Sequence, residues 1–231
     1  MRTIGLLGGM SWESTAHYYA RLNELIAERL GGLHSARLVL WNVDFDEIAR
    51  LQQTGDWDAA GKILADAARR LECASAEALL ICANTMHRVA PAVEAAAQIP
   101  LIHLADVTAQ ALVDNGYSRA ALLGTRFTME QPFYRERLES RGLAVDVPVE
   151  GEQNEIHRII FDELVKGHVH AESRERFIAI MHRMHTESAG AVILGCTEFT
   201  LLVKQADVPE IPLFDTTELH CRAAADWMLA R

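Results

Sequence analysis

The residues best suited to chemistry in this 231-residue chain stand at the ends of two short apolar runs. One is Leu80-Ile81-Cys82-Ala83-Asn84-Thr85-Met86-His87 and the other Ile193-Leu194-Gly195-Cys196-Thr197-Glu198. Each reads as a buried strand that finishes in a small polar cluster, and in open α/β sheets ligands bind beyond the carboxyl ends of the strands. A thiol, hydroxyls and an amide at such ends predict the handling of a small substrate. Cys196 is the natural proton carrier: a thiol's reference pKa of about 8.5 falls beside dipoles or cations, and Cys196 precedes an expected helix start whose amides would favour the thiolate. Ala83, at the matching place in the first segment, can neither donate nor accept a proton. Cys82 is adjacent, but side chains alternate along a strand, so Cys82 is expected to face away. Asn84, Thr85 and Thr197 suit the holding of a carboxylate through neutral donors, although the same residue types also serve as plain helix caps.

The elements that must position these residues alternate. Strands are expected near Thr3 to Leu7, Ala36 to Val43, Ala78 to Ile81, Arg119 to Leu123, Leu143 to Val147 and Ala191 to Leu194. Helices are expected near Ser14 to Leu30, Asp58 to Cys73, Val89 to Ala97, after Asp106, and over Gln131 to Ser140, Asn154 to Lys166 and Glu172 to Ser188. This βα alternation predicts an α/β fold with parallel sheets covered by helices. An internal repeat divides it: Ile4 matches Ala120, Ala83 matches Cys196 and Ile99 matches Ile211, at the nearly constant offsets of 116, 113 and 112 residues. The expectation is two similar Rossmann-like lobes related by a pseudo-twofold duplication, with the active site in the cleft between them. The first lobe is placed at 1–98 and completed by a strand and helix at 212–231, and the second at 99–211.

A formal net charge of −10 and no dense Lys/Arg block argue against nonspecific nucleic-acid binding. No stretch approaches the roughly 20 apolar residues of a membrane span, and the amino terminus reads as a strand instead of a signal peptide. A cytoplasmic location follows as the expectation. Four cysteines, Cys73, Cys82, Cys196 and Cys221, with no C-x-x-C pair, predict reduced thiols and no structural zinc. The Gly5-x-x-Gly8-Gly9 turn lacks the spacing of a dinucleotide fingerprint and suits close approach of a small ligand to the backbone. His168 with His170, and His182 with His185, have the spacing of metal ligands but no third partner, so no metal is expected. His87 and His103 lie nearer the expected site, either as buried structural histidines or as groups that orient substrate.

Taken in order, Ile4-Gly5-Leu6-Leu7-Gly8-Gly9-Met10-Ser11, Asn84-Thr85, Gly124-Thr125-Arg126-Phe127-Thr128 and Gly195-Cys196-Thr197-Glu198 resemble the motifs of the aspartate/glutamate racemase family. The resemblance spans nearly the whole chain. It implies a PLP-independent amino-acid racemase that needs no cofactor, acts on aspartate, glutamate or a related amino acid, uses Cys196 as acid/base, and forms a homodimer. It further implies that Met10, Gln52, Ala83, Asn84, Thr85, Thr125, Thr128, Lys166 and Thr197 line the substrate pocket, with Arg50 a second candidate cation beside Gln52. The usual family pattern has a cysteine where this chain has Ala83. That departure leaves open a single-thiol decarboxylase or isomerase of a small carboxylic acid, and a binding-only form.

Overall fold

The computed structural model describes residues 1–187 and 190–230. The expected helix end at Ser188 and the last residue, Arg231, lie outside the described residues. The chain forms two compact units, one of residues 1–104 with the segment from Thr217 onward, the other Ala105–Thr216.

In the first unit β1 (Ile4–Gly8) runs into α1 (Trp12–Leu30), then β2 (Leu38–Asn42), α2 (Phe45–Thr54), α3 (Trp57–Cys73), β3 (Ala78–Ile81), a 3-10 turn (Thr85–Val89) and α4 (Ala90–Ala96). The three strands are parallel in the order β2-β1-β3. β1 and β3 are buried at every position, which is why they read as unbroken apolar runs. Each fully buried Leu or Ile there contributes roughly 1.5–3 kcal/mol. α3 presses Ala60, Leu64, Ala67, Ala68 and Leu71 onto one face of the sheet, in one cluster with Leu7 and Ile81. α1 begins where the Ser11 side chain accepts from the Ser14 amide and stops at Gly31, whose φ is 72°. Leu101 adds one parallel bridge beside Leu79.

The second unit follows with α5 (Leu104–Asp114), β4 (Arg119–Gly124), α6 (Arg126–Glu130), α7 (Pro132–Glu139), β5 (Ala144–Asp146), α8 (Glu150–Arg158), α9 (Ala171–Glu187), β6 (Val192–Gly195), α10 (Phe199–Leu202) and β7 (Leu213–Asp215). Its parallel strands run β5-β4-β6-β7. α11 (Thr216–Leu229) returns to the first unit, where Cys221, Ala224, Ala225 and Met228 pack with Tyr18, Leu22 and Leu25 of α1.

Three expectations are corrected. The last strand, placed in the first lobe by a boundary at 212, pairs with β6 in the second sheet, so that only the helix crosses back. Ile99 to Leu101, placed in the second lobe by a boundary at 98, lies beside β3 in the first. The repeat already contained the reason: Ile99-Pro100-Leu101 and Ile211-Pro212-Leu213 each add the fourth position to their own sheet. The single helix expected over Asn154 to Lys166 is broken, with α8 followed by a π-helical turn (Ile159–Glu163) and a 3-10 turn (Leu164–Lys166). α2 is an addition to the expected elements; Asp44 caps it and Gly55, at φ 74°, ends it.

Candidate active site

The strand ends of the first unit are tight and largely apolar. After β1 the chain turns at Gly9, whose φ of 90° and contact with the Val43 carbonyl leave no space for a side chain. The Gly9 amide donates to Thr15 Oγ1 at 2.9 Å, and that hydroxyl donates to the Ser11 carbonyl at 2.9 Å. These bonds set the turn that carries Met10, which is buried with Val43, Ala83 and Met86 in one cluster. Gln52, on α2, is buried, and its side-chain amide points at Met86 Sδ, 3.1 Å away. Met10, Gln52 and Ala83 are therefore brought to one region of this unit, next to Asn84, which is 5% exposed, and the half-buried Thr85. Arg50, on the same helix as Gln52, is instead an exposed partner of Asp46 at 3.1 Å.

Cys82 and Ala83 fall on opposite sides of the sheet. Cys82 packs with Leu6, Tyr18 and Cys221, and burial pushes its thiol up, so it is an inert core residue. His87 is structural at this turn. Its Nδ1–H donates to the Ala83 carbonyl at 2.8 Å while Nε2 accepts from the Leu104 amide at 3.3 Å, an arrangement that only the neutral ring satisfies. The buried His103 ring lies 4.6 Å from it.

The second unit has a polar strand end. Gly124 and Gly195 pair in register, and a Cβ on either would sit within 3 Å of a backbone oxygen of the neighbouring strand, 2.9 Å from Gly195 O or 2.8 Å from Leu123 O. This close approach puts the next residues, Thr125 and Cys196, side by side at the carboxyl edge. Thr125 caps α6 by accepting from the Thr128 amide, and the two threonine hydroxyls are 3.1 Å apart. Cys196 is 7% exposed, and its thiol donates to Glu198 Oε2 at 2.9 Å. Thr197 Oγ1 donates to the same oxygen at 2.7 Å.

The expectation of a stabilised thiolate is corrected. Burial, then the charge of Glu198 and the hydrogen bond to it, raise the Cys196 thiol well above its usual range, and these outweigh the amides of Glu198 and Thr197 that favour the anion. Cys196 thus rests as a thiol beside a carboxylate. Glu198 is the residue that sequence reasoning passed over; its place two residues after the thiol, before the expected helix, was the available signal. Lys166 ends the 3-10 turn and is exposed, on a segment that packs against α10. Among the described residues no group of three or more His, Cys, Asp or Glu side chains is placed to hold a metal ion. None of the described helices is long and apolar enough to cross a membrane.

Two parallel units with matching strand order, each closing its central strands in a compact turn, define the two-lobed α/β architecture of the aspartate and glutamate racemases. The chain belongs to the Asp/Glu/Hydantoin racemase family, whose model matches residues 7–224. Its fold is shared by a candidate Asp/Glu racemase from Yersinia pestis, at 45% identity and a TM-score of 0.94 with 100% of both chains covered. An aspartate racemase homologue from Pyrococcus horikoshii OT3 is 35% identical with a TM-score of 0.87, again over 100% of both chains. The broad specificity amino-acid racemase RacX of Bacillus subtilis (strain 168) is 20% identical over 230 residues, 98% of each protein.

Proposed function

We propose that this chain is a cofactor-independent racemase of aspartate, glutamate or a related amino acid, with Cys196 carrying the Cα proton and Glu198 serving as its proton partner. The observation that carries this reading is the buried 2.9 Å hydrogen bond from the Cys196 thiol to the Glu198 carboxylate, at a strand end lined by Thr125 and Thr128. Passage of the thiol proton to Glu198 leaves a thiolate, which takes the Cα proton of the substrate and so becomes a thiol again; the carbanion is reprotonated by a donor on its other face, and Glu198 releases its proton to solvent, which restores the resting pair. Asn84, Thr85 and Thr197 hold the substrate carboxylate through neutral donors, Met10 and Gln52 complete the pocket, and Lys166 meets a side-chain carboxylate. Inversion needs a second proton route, which Ala83 does not supply, so water or another side chain serves that face.

The test is proton NMR in D2O of L- and D-aspartate and L- and D-glutamate, with chiral chromatography of the same samples. Deuterium at Cα with inversion supports the racemase. Exchange with full retention supports the second reading, a single-thiol enzyme, which the methyl side chain of Ala83 favours. No exchange with any of the four overturns both for these substrates.

A cytoplasmic homodimer is part of the same proposal. All four cysteines are free, and Leu40 and Trp41 are exposed on β2, at the edge of its sheet. Light scattering is expected to give twice the mass of 25.7 kDa. A monomer at micromolar concentration would remove the homodimer from this proposal.

A further inference from the structure

A cavity of about 540 Å³ opens in the second unit between the end of α8, the π-helical turn and the start of α9. Its residue of interest is Glu163, the last of the π-helical turn, only 7% exposed. Oε1 of Glu163 accepts from Arg158 Nη1 at 2.7 Å and from Ser173 Oγ at 2.9 Å. Oε2 is buried and meets no donor among the described residues. Burial alone would raise this carboxyl, but the Ser173 and Arg158 hydrogen bonds outweigh it and hold the group below its usual range, so it carries its charge at neutral pH.

The surroundings fix the sign of a ligand. Four glutamates line the cavity against two arginines and His170, with Ser173 completing the wall. Arg158 is engaged with Glu163, and Arg176 with Glu155 at 2.8 Å, which leaves Glu172 and Glu175 without an ion pair among the described residues. The balance is negative, and the missing partner of Oε2 is a hydrogen-bond donor. Among the described residues no metal-binding group of side chains is assembled there. A donor that also carries positive charge, and no carboxylate of its own, meets both requirements.

We propose that this cavity binds the ammonium group of a primary amine lacking a carboxylate, with Glu163 as its anchor. Entry requires the Arg158 side chain, which is 51% exposed, to swing aside from Glu163. The incoming ammonium takes over the charge-assisted hydrogen bond that Arg158 gives up, so the buried carboxylate stays paired through the exchange. The site is separate from the proton chemistry of Cys196 and does not depend on it.

The experiment is an NMR titration of the full chain with methylammonium and with tetramethylammonium, which has the same charge and no N–H. Methylammonium is expected to shift the Glu163 and Ser173 amides saturably, and tetramethylammonium to leave them unmoved. E163Q keeps the shape and an acceptor for Ser173 and is expected to weaken methylammonium at least about tenfold, the worth of one charge-assisted hydrogen bond. R158M removes the competing guanidinium at an exposed position and is expected to tighten it severalfold, so it decides the matter if E163Q does not fold. Equal binding of tetramethylammonium, glycine binding as tightly as methylammonium, or no saturation in either the parent chain or R158M would overturn the proposal.

Discussion

The two units run the same course to different ends. In the first, the turn after β3 carries Ala83, surrounded by Met10, Val43 and Met86; in the second, β6 runs directly into Cys196, hydrogen-bonded to Glu198 and beside Thr125. Both sheets share the order second-first-third strand, and each gains a fourth position from an Ile-Pro-Leu segment. A repeated scaffold has therefore been loaded unequally. Backbone geometry is common to both halves because strand pairing and glycine turns dictate it, whereas the single side chain that follows each strand is free to differ without cost to the sheet.

The contrast breaks most sharply at the thiol. C196A is expected to lower Cα exchange by about 10³-fold or more, the usual scale for a lost acid/base group, while circular dichroism and the melting profile stay those of a folded protein. Full turnover in this variant would sink the mechanism. E198Q comes next. Losing its charge lowers the thiol toward its ordinary value and removes the group that takes up the thiol proton, so the alkaline limb of the pH profile moves to lower pH and kcat falls by roughly 10²-fold. An unchanged profile would make Glu198 a packing residue only.

A83C makes the two strand ends alike. It is expected to raise inversion relative to retention by about tenfold, read from deuterium content and chirality in the same sample. If the folded variant shows no gain, the difference between the halves is not one missing base.

The shared glycine geometry is tested by G124A. Its Cβ would lie 2.9 Å from the Gly195 carbonyl, a backbone atom that cannot step aside, so a loss of about 1–3 kcal/mol in urea unfolding is expected. G61A offers the mild counterpart, since its Cβ would meet only side-chain atoms, Ala92 Cβ at 3.3 Å and Val89 Cβ at 3.7 Å.

The smallest effect concerns acid. His220 is buried in the first unit, with Nδ1 2.9 Å from Tyr18 Oη and Nε2 2.7 Å from the Ile102 carbonyl. Burial, then His87, depress its pKa from 6.5 to about 3. The unfolded chain takes up this proton first as pH falls, so the stabilisation is whole above about pH 6.5 and erodes between there and about pH 3. Urea midpoints measured at about pH 7.5 and about pH 5 should differ, and H220N should narrow that difference.

Much of this was legible beforehand for a physical reason. The buried central strands, Ile4–Gly8, Ala78–Ile81 and Val192–Gly195, announce themselves because burial on both faces demands unbroken apolar residues. Their polar terminators are equally visible, and so was the split of Cys82 and Ala83 onto opposite faces, since strand alternation is a local rule. The edge strand β2 was legible within the expected Ala36 to Val43, whereas helix α2 was not, because a short half-exposed helix tolerates mixed residues. The lobe boundaries were misplaced because strand membership depends on a partner strand far along the chain, as with Leu213 beside Val192.

By itself, then, the sequence determined the βα alternation, the repeat and the identities of the groups at the strand ends, all of which follow from local periodicity and residue chemistry. Only the tertiary structure decided that Cys196 rests as a thiol, because its proton affinity depends on desolvation and on the rotamer that brings Glu198 within 2.9 Å. It likewise decided that His87 is spent on the Ala83 carbonyl and that Glu163 is buried with one oxygen unmet among the described residues. Charge states and hydrogen-bond partners are properties of an enclosed neighbourhood, and residue spacing along a chain does not specify one.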